Sequence, residues 1–267
     1  MSLRVMCWNL NGFGKQDRKL DWVLAQKPDL ILLQEVKAAL LEEMRSRPEF
    51  KWVSCSLDHS ETIQPDRKGW GLGCAIATTR PDFSLIESGL LPDNSVPARC
   101  AWADVGIAGK TVTLVSFHAP PGVNWFEKKN LSYLALRDFL IDRRGSPTIL
   151  GMDANSPCVD HPDLRESIFY RDGEREILGD SVKHDLRDAY RVYLENNPKA
   201  HEAVLKERPN GPIAISHFTG TKEKIPRRYD FLFSSKEFEV ERMEYPLEQS
   251  LAAGSDHSAV LADLDLA

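Results

Sequence analysis

Leu3-Arg4-Val5-Met6-Cys7-Trp8-Asn9-Leu10-Asn11-Gly12 is the stretch that decides the fold. A mostly apolar run meets a polar cluster ending in glycine, as a buried strand does when it reaches a turn. Downstream, Leu20, Val23 and Leu24 recur at helical spacing within 15–26, and Lys27-Pro28 stops that helix. Residues 29–33 then form a short run bounded by turn and charge signals, the pattern of a second buried strand. Strand, helix and strand in this order imply two parallel neighbours in one sheet.

Working outward, the centre of the chain is β-rich. Residues 52–56, 71–78, 83–88, 100–107 and 111–118 read as strands, and Gly109-Lys110 closes the last two into a tight hairpin. Residues 125–144 form a long amphipathic helix whose expected apolar side is Leu131, Leu134, Leu136, Phe139 and Leu140. A short buried strand follows at 148–151. Residues 161–210 are charged and read as mainly helical or irregular. Strands at 229–234, 238–245 and 258–262 close the chain. Helices frame two blocks of strands, with no Pro/Gly/Ser linker between the blocks. One α/β domain over 1–267 with two packed sheets is expected.

Composition narrows the class. The 267 residues are 42% hydrophobic and 28% charged, ordinary for a globular chain large enough to bury a core without staples. Lys and Arg number 34 against 40 Asp and Glu, a net charge of −6. That balance argues against a broad basic surface that coats DNA. It suits an enzyme that grips a few phosphates locally, with a carboxylate-rich site offset by a cation. Cys7, Cys55, Cys74, Cys100 and Cys158 form no CxxC pair and are expected as small buried hydrophobes in a reducing compartment. The N-terminus enters its first strand without a leader pattern, and no apolar run approaches the roughly 18 residues of a membrane span. The expectation is a cytoplasmic, soluble chain with no membrane association and no obligate protein partner.

Polar residues recur at the ends of apolar strands. Asn9 follows the first strand, Glu35 the second, His118 the strand at 111–118, and Asp153 and Asn155 the strand at 148–151. Asp256 and His257 precede the last strand, and Asp230 lies in the aromatic run 229–233. Each alone is explained as a cap, a turn former or an exposed polar residue. As a set they make a rigid scaffold for one converging site. Glu35 and Asp256 are hard oxygen ligands, suited to magnesium or manganese, and no zinc-like His/Cys spacing exists. Phosphate hydrolysis needs an attacking water, a neutralised phosphate and a stabilised leaving oxygen. Asp153 can orient or deprotonate water, and the Asn9 and Asn155 amides can donate to phosphoryl oxygens. His257 can meet phosphate as imidazolium, with Asp230 fixing its tautomer and raising its basicity.

Five segments carry a resemblance. Trp8-Asn9-Leu10-Asn11-Gly12 resembles the opening motif of exonuclease-III-type enzymes, and Leu33-Gln34-Glu35-Val36-Lys37 resembles their metal-binding segment. Gly151-Met152-Asp153-Ala154-Asn155 is similar to a GDxN motif, Arg228-Tyr229-Asp230-Phe231 to an R-x-D segment, and Gly254-Ser255-Asp256-His257 to a closing SDH motif. In this order they resemble the endonuclease/exonuclease/phosphatase superfamily. That resemblance implies a four-layer α/β sandwich, two packed mixed β-sheets flanked by helices, in one domain. It also implies a divalent-metal-dependent phosphoesterase. Glu35 would hold the catalytic Mg2+ (or Mn2+) with Asn9 and Asp256 near it. Asp153 would position water, Asn155 and Asn9 would bind phosphate, and Asp230 would pair with His257.

One departure matters. Where exonuclease III carries a tyrosine, this chain has Ser116-Phe117-His118-Ala119-Pro120, which resembles the leaving-group histidine segment of deoxyribonuclease I and the sphingomyelinases. Arg99 resembles a phosphate-contacting arginine of deoxyribonuclease I, and Glu61 and Asp66 are candidates to orient His118. An imidazole near the ~6.5 reference value would serve His118 as general acid.

For substrate, nucleic acid leads as the expected partner, acted on by an endo- or exonuclease. Lys222, Lys224, Arg227 and Arg228 lie beside Asp230 and could track a phosphate backbone, or form a solvated loop. Trp70, Trp125, Phe126, Phe218 and Tyr229 could stack on a base, or sit in the core. His217 could join the site. The alternatives are a phosphatase or phosphodiesterase for small-molecule or lipid head-group phosphates, of inositol-phosphate or sphingomyelin type, and a non-catalytic scaffold on the same fold.

Overall fold

The computed structural model describes residues 1–12, 18–59, 71–122, 125–156, 160, 171–220 and 222–267. Its first sheet is built from β1 (Ser2–Asn9), β2 (Leu30–Val36), β3 (Trp52–Cys55), β4 (Gly73–Thr78), β13 (Phe238–Glu244) and β14 (Val260–Leu266), in the order β13-β14-β1-β2-β4-β3. Its second sheet holds β5 (Ser84–Leu90), β6 (Cys100–Ile107), β7 (Lys110–His118), β8 (Thr148–Asp153), β9 (Arg187–Asp188) and β12 (Asp230–Ser234), in the order β5-β6-β7-β8-β12-β9. Both sheets are mixed in the same way. Each has a single parallel pair at its centre, β1 with β2 and β7 with β8, flanked by antiparallel neighbours.

The central strands are apolar on both faces because both faces are covered. Along β1, Val5 and Cys7 point into the layer between the sheets, where they meet Ala103, Val105, Leu114, Ile149 and Leu232 of the second sheet. Met6 and Trp8 point the other way, onto Leu20 and Val23 of α1 (Lys19–Ala25) and Leu40 and Met44 of α2 (Ala38–Ser46). The second sheet mirrors this: Val115, Phe117, Leu150 and Met152 pack beneath Tyr133, Leu136 and Phe139 of α3 (Phe126–Asp142). The layers run helix, sheet, sheet, helix. Gly151 lets the sheets approach closely, since a Cβ there would lie 2.8 Å from both Cys7 Sγ and Leu32 Cδ1.

One expectation changes. The buried stripe of α3 is Ser132, Tyr133, Leu136, Phe139 and Leu140, spaced as one face of an α-helix. Leu131, one position off that stripe, is exposed. The charged stretch after 171 resolves into α4 (Asp172–Ile177), α5 (Ala189–Asn196) and α6 (Pro198–Glu207). A small separate sheet, β10 (His217–Thr219) with β11 (Ile225–Arg227), follows, and α7 (Leu247–Ala252) precedes β14. Among the described residues no helix is long and apolar enough to cross a membrane.

Candidate active site

Parallel strand pairs leave their carboxyl ends side by side, and here both central pairs end at the same edge of the sandwich. Asn9 closes β1 opposite Gln34 of β2, with Glu35 next along. On the second sheet His118, Asp153 and Asp230 occupy one row across β7, β8 and β12, with Asp153 paired in register to both neighbours.

Hydrogen bonds join the two sheets at this edge. Asn9 Nδ2 donates to Asp153 Oδ2 at 2.8 Å, and His257, just before β14, places its Nδ1 2.8 Å from Asp230 Oδ2. One layer deeper, Gln34 Nε2 donates to Ser116 Oγ at 3.0 Å, and that hydroxyl donates to Leu33 O at 2.9 Å. His118 Nε2 lies 3.5 Å from Asp153 Oδ2 and 3.7 Å from Glu35 Oε1. Asn9, Glu35, His118, Asp153, Asp230 and His257, separated widely in sequence, therefore meet in one cluster.

The backbone is strained where it delivers these groups. Glu35 has φ +56° and Asn155 φ +45°, a region that costs a non-glycine residue on the order of 1–3 kcal/mol and collects at functional sites. The Glu35 distortion coincides with a register shift between Leu33 and Val36 against β4, which turns the carboxylate out of the sheet. Gly12 N then donates to Glu35 Oε2 at 2.9 Å. Asn155 N donates to Asp153 Oδ1 at 2.9 Å, and Asn155 Nδ2 donates to Ala119 O at 2.9 Å.

Burial and neighbours set the protonation states. Asp153 is pushed up to about 7 by burial, with Asp230 adding to the rise and the His257 charge opposing it. Burial alone would lower His257, but the Asp230 and Asp153 carboxylates outweigh it and raise the imidazole to about 10. His257 is thus an imidazolium at neutral pH. His118 moves the opposite way, well below the ordinary histidine value, through burial first and then the Arg99 guanidinium. Arg99 Nη1 lies 2.9 and 2.8 Å from the two ring nitrogens of His118. The expectation that His118 sits near the reference value is corrected: buried against a guanidinium, the free imidazole is neutral.

The donor set fits a hard divalent cation. Two groups among the described residues bring His or carboxylate atoms within 4.8 Å, His217 with Asp256 and His257, and Asp153 with Asp230 and His257. Both depend on His257, which as an imidazolium offers no lone pair, so the carboxylates are the better ligands. Asp230 Oδ1 is buried without a hydrogen-bond partner. Glu35 keeps 17% of its side chain exposed, and Asp256 is exposed at the surface, as an oxygen-ligated ion with bound waters requires.

Some expectations fail on position. Arg228 cannot track a polyanion: its side chain is fully buried, with Nη1 2.8 Å from Asp160 Oδ2 and 2.7 Å from Asp188 Oδ2. Its Nε donates to Tyr245 Oη at 2.8 Å, which donates to Asp230 O at 3.0 Å, so Arg228 braces the strand that carries Asp230. Tyr229 is buried, whereas Trp125 and Phe218 are half-buried and Phe126 is exposed. Glu61, Asp66, Trp70 and Cys158 lie outside the described residues.

Sequence reading missed the supports. Ser255 Oγ donates to Asn9 O at 2.7 Å and accepts from His257 N at 3.0 Å. Ser216 Oγ accepts from the amides of Tyr229 and Asp230 at 2.8 and 3.0 Å. His217, which the sequence did offer as a site member, stacks on the His257 ring, centroids 4.4 Å apart. Serines beside motif residues are too common to signal such roles.

Among solved structures the chain is similar to several of the same architecture. It covers 99% of a D. rerio TDP2 structure complexed with a single-strand DNA product, with 99% of this chain matched, at 12% identity and TM-score 0.67. It is similar to the human nocturnin catalytic domain with bound sulfate at 18% identity and TM-score 0.67, covering 100% of this chain and 95% of that one. An endonuclease/exonuclease/phosphatase from Bacteroides vulgatus matches at 17% identity and TM-score 0.68, with 100% of both chains covered. No curated protein sequence matches significantly. Fold and cluster together define the class, an α/β-sandwich hydrolase with its acid and histidine groups at the meeting strand ends. The chain belongs to the endonuclease/exonuclease/phosphatase family, whose model matches residues 6–257. It is a phosphoesterase of that family, whose enzymes depend on divalent metal.

Proposed function

We propose that this phosphoesterase hydrolyses phosphodiesters of nucleic acid with Mg2+ or Mn2+. The observation that carries the reading is the joining of the two sheets at one edge, through the Asn9–Asp153 and His257–Asp230 hydrogen bonds. Glu35 and Asp256 would hold the cation, with Asn9 near it. When bound, that ion neutralises a phosphoryl oxygen and acts as a Lewis acid.

The chain's own residues supply the rest. Asp153, raised to about 7, orients water and takes its proton near neutral pH, where a base of that strength is most effective. His257, kept protonated by Asp230, meets the developing negative charge, and the buried Asp230 carboxylate fixes the orientation of its ring. Asn155, Asn9 and Arg99 bind phosphate oxygens. His118 is neutral in the free protein; the approaching phosphate anion raises its proton affinity, so that it takes up a proton from solvent as substrate binds and then delivers that proton to the leaving oxygen.

Nucleic acid is favoured by the motifs resembling exonuclease III and by a TDP2 structure of the same fold that holds a single-strand DNA product. The net charge of −6 and the buried Arg228 favour a second reading, a small-molecule or lipid head-group phosphate ester. The four described cysteines are free and buried, which supports a cytoplasmic setting. A panel with Mg2+ tests the substrate: abasic duplex DNA, single-stranded DNA, RNA, inositol phosphates and sphingomyelin at matched enzyme concentration. Turnover of a nucleic acid, with steep salt dependence, is expected. Turnover of inositol phosphates or sphingomyelin with none on nucleic acid overturns the first reading in favour of the second.

A further inference from the structure

The N-terminal end of a helix carries partial positive charge, so a lysine there is electrostatically misplaced. Lys19 opens α1, yet it is completely buried. Among the described residues no carboxylate forms an ion pair with it. Burial pulls its pKa down, against the more distant pull of Asp256 and then Glu35. A buried cation without an ion-pair partner is costly and calls for a compensating role.

Its hydrogen bonds point to that role. Lys19 Nζ donates to the carbonyls of Leu10 and Asn11, the latter at 2.8 Å. Both carbonyls belong to the turn that leaves β1, in which Asn11 is held at φ +47°. The amides of the same turn face the site: Asn11 N donates to Asn9 Oδ1 and Gly12 N to Glu35 Oε2, each at 2.9 Å. The turn lies flat on the bulge of β2, where a Cβ on Gly12 would come 2.9 Å from Glu35 O. With its carbonyls drawn to the ammonium, the turn presents its N–H groups to the two side chains.

We propose that Lys19 is a positioning residue for the metal side of the site: its ammonium clamps the turn after β1 so that backbone amides fix the Asn9 and Glu35 side chains. The inference rests on the metal role given to Glu35 above. Lys19 touches neither substrate nor cation. The sign of its effect separates positioning from charge alone. As a mere positive charge near Glu35 and Asp256 it would oppose cation binding, whereas as a clamp it promotes it.

The test is Mn2+ binding by isothermal titration calorimetry to Lys19→Met, Glu35→Gln and the double variant. Lys19→Met, which keeps the apolar stem and removes the ammonium, is expected to raise Kd about 10- to 100-fold, as loss of a supporting contact to a metal ligand does. In the Glu35→Gln background the same change is expected to cost less than about threefold, because the two residues act through one path. Unchanged or tighter binding by Lys19→Met overturns the proposal, and so does an equal loss in both backgrounds. Wild-type binding by Glu35→Gln overturns the metal assignment itself, and the clamp with it. The unmodified protein gives a check that does not depend on a variant folding. The Lys19 ammonium protons should be protected from exchange and its 15N signal should move on Mg2+ addition. A freely exchanging ammonium, or one indifferent to Mg2+, also overturns the proposal.

Discussion

The second sheet buries its part of the cluster almost completely, with His118, Asp153 and Asp230 side chains 4%, 1% and 0% exposed. The first sheet instead leaves Glu35 17% exposed and Asp256 at the surface. The strand arrangement is the same on both sides, a central parallel pair ending at the site, so the contrast comes from the residues. A dry environment moves proton affinities, and both Asp153 and His118 are displaced from their ordinary values by burial first. A wetter rim leaves room for carboxylate oxygens to hold a hydrated ion. One half handles protons and the other handles charge, and the Asn9–Asp153 bond couples them.

Removing the ion should break the wet half outright. Turnover in excess chelator is expected to vanish and to return with Mg2+ or Mn2+. Full turnover under chelation contradicts the division. Asp153→Asn in the dry half, and His257→Ala at the seam where the first sheet reaches Asp230, are each expected to slow the reaction about 100-fold or more, the scale of losing a general base or an electrostatic stabiliser. Near-normal rates in either folded variant remove that residue from its role.

The pH profile sharpens the same division. Asp153 must be ionised to act, so kcat/KM should rise with pH through about 7, or through a lower value if the bound cation stabilises the carboxylate. His257, raised to about 10, stays charged across that window and contributes no alkaline fall between pH 7 and 9, so a fall there reports the proton that His118 must hold. The sign for stability is opposite. A histidine raised in the folded state contributes stability that is complete below its unfolded value of ~6.5 and is lost as pH rises through about 10. A fall in kcat/KM between pH 7 and 9 that persists in His118→Gln would show His257 losing its proton early. The smallest effect concerns His118. His118→Gln should slow substrates with poor leaving groups about tenfold more than activated aryl phosphates. Equal loss on both argues against proton delivery from this residue.

The halves also differ in how far they could be read from sequence. Asn9, Glu35, His118 and Asp153 were legible because each follows an apolar run, and a run that ends in a polar residue announces a strand end. Asp230 and His257 were legible through their motifs, and their hydrogen bond matches the pairing the resemblance implied. Protonation was not legible, since the downward shift of His118 comes first from burial and then from Arg99, brought beside it by the turn at 97–99. Arg228 misled for the same reason: beside Lys222, Lys224 and Arg227 it reads as surface charge, and only Asp160 and Asp188, brought in by tertiary folding, show it buried. Lys19 gave no signal at all, because a lysine at the start of a helix looks solvated until the turn after β1 folds over it.

The most direct measurement is the anomalous diffraction of a crystal soaked in Mn2+. A single strong peak about 2.1–2.3 Å from a Glu35 carboxylate oxygen, on the side facing Asp256, is the expected result. A peak bound only through the His217 and His257 nitrogens, or none near Glu35, would contradict a wet metal half joined to a dry proton half.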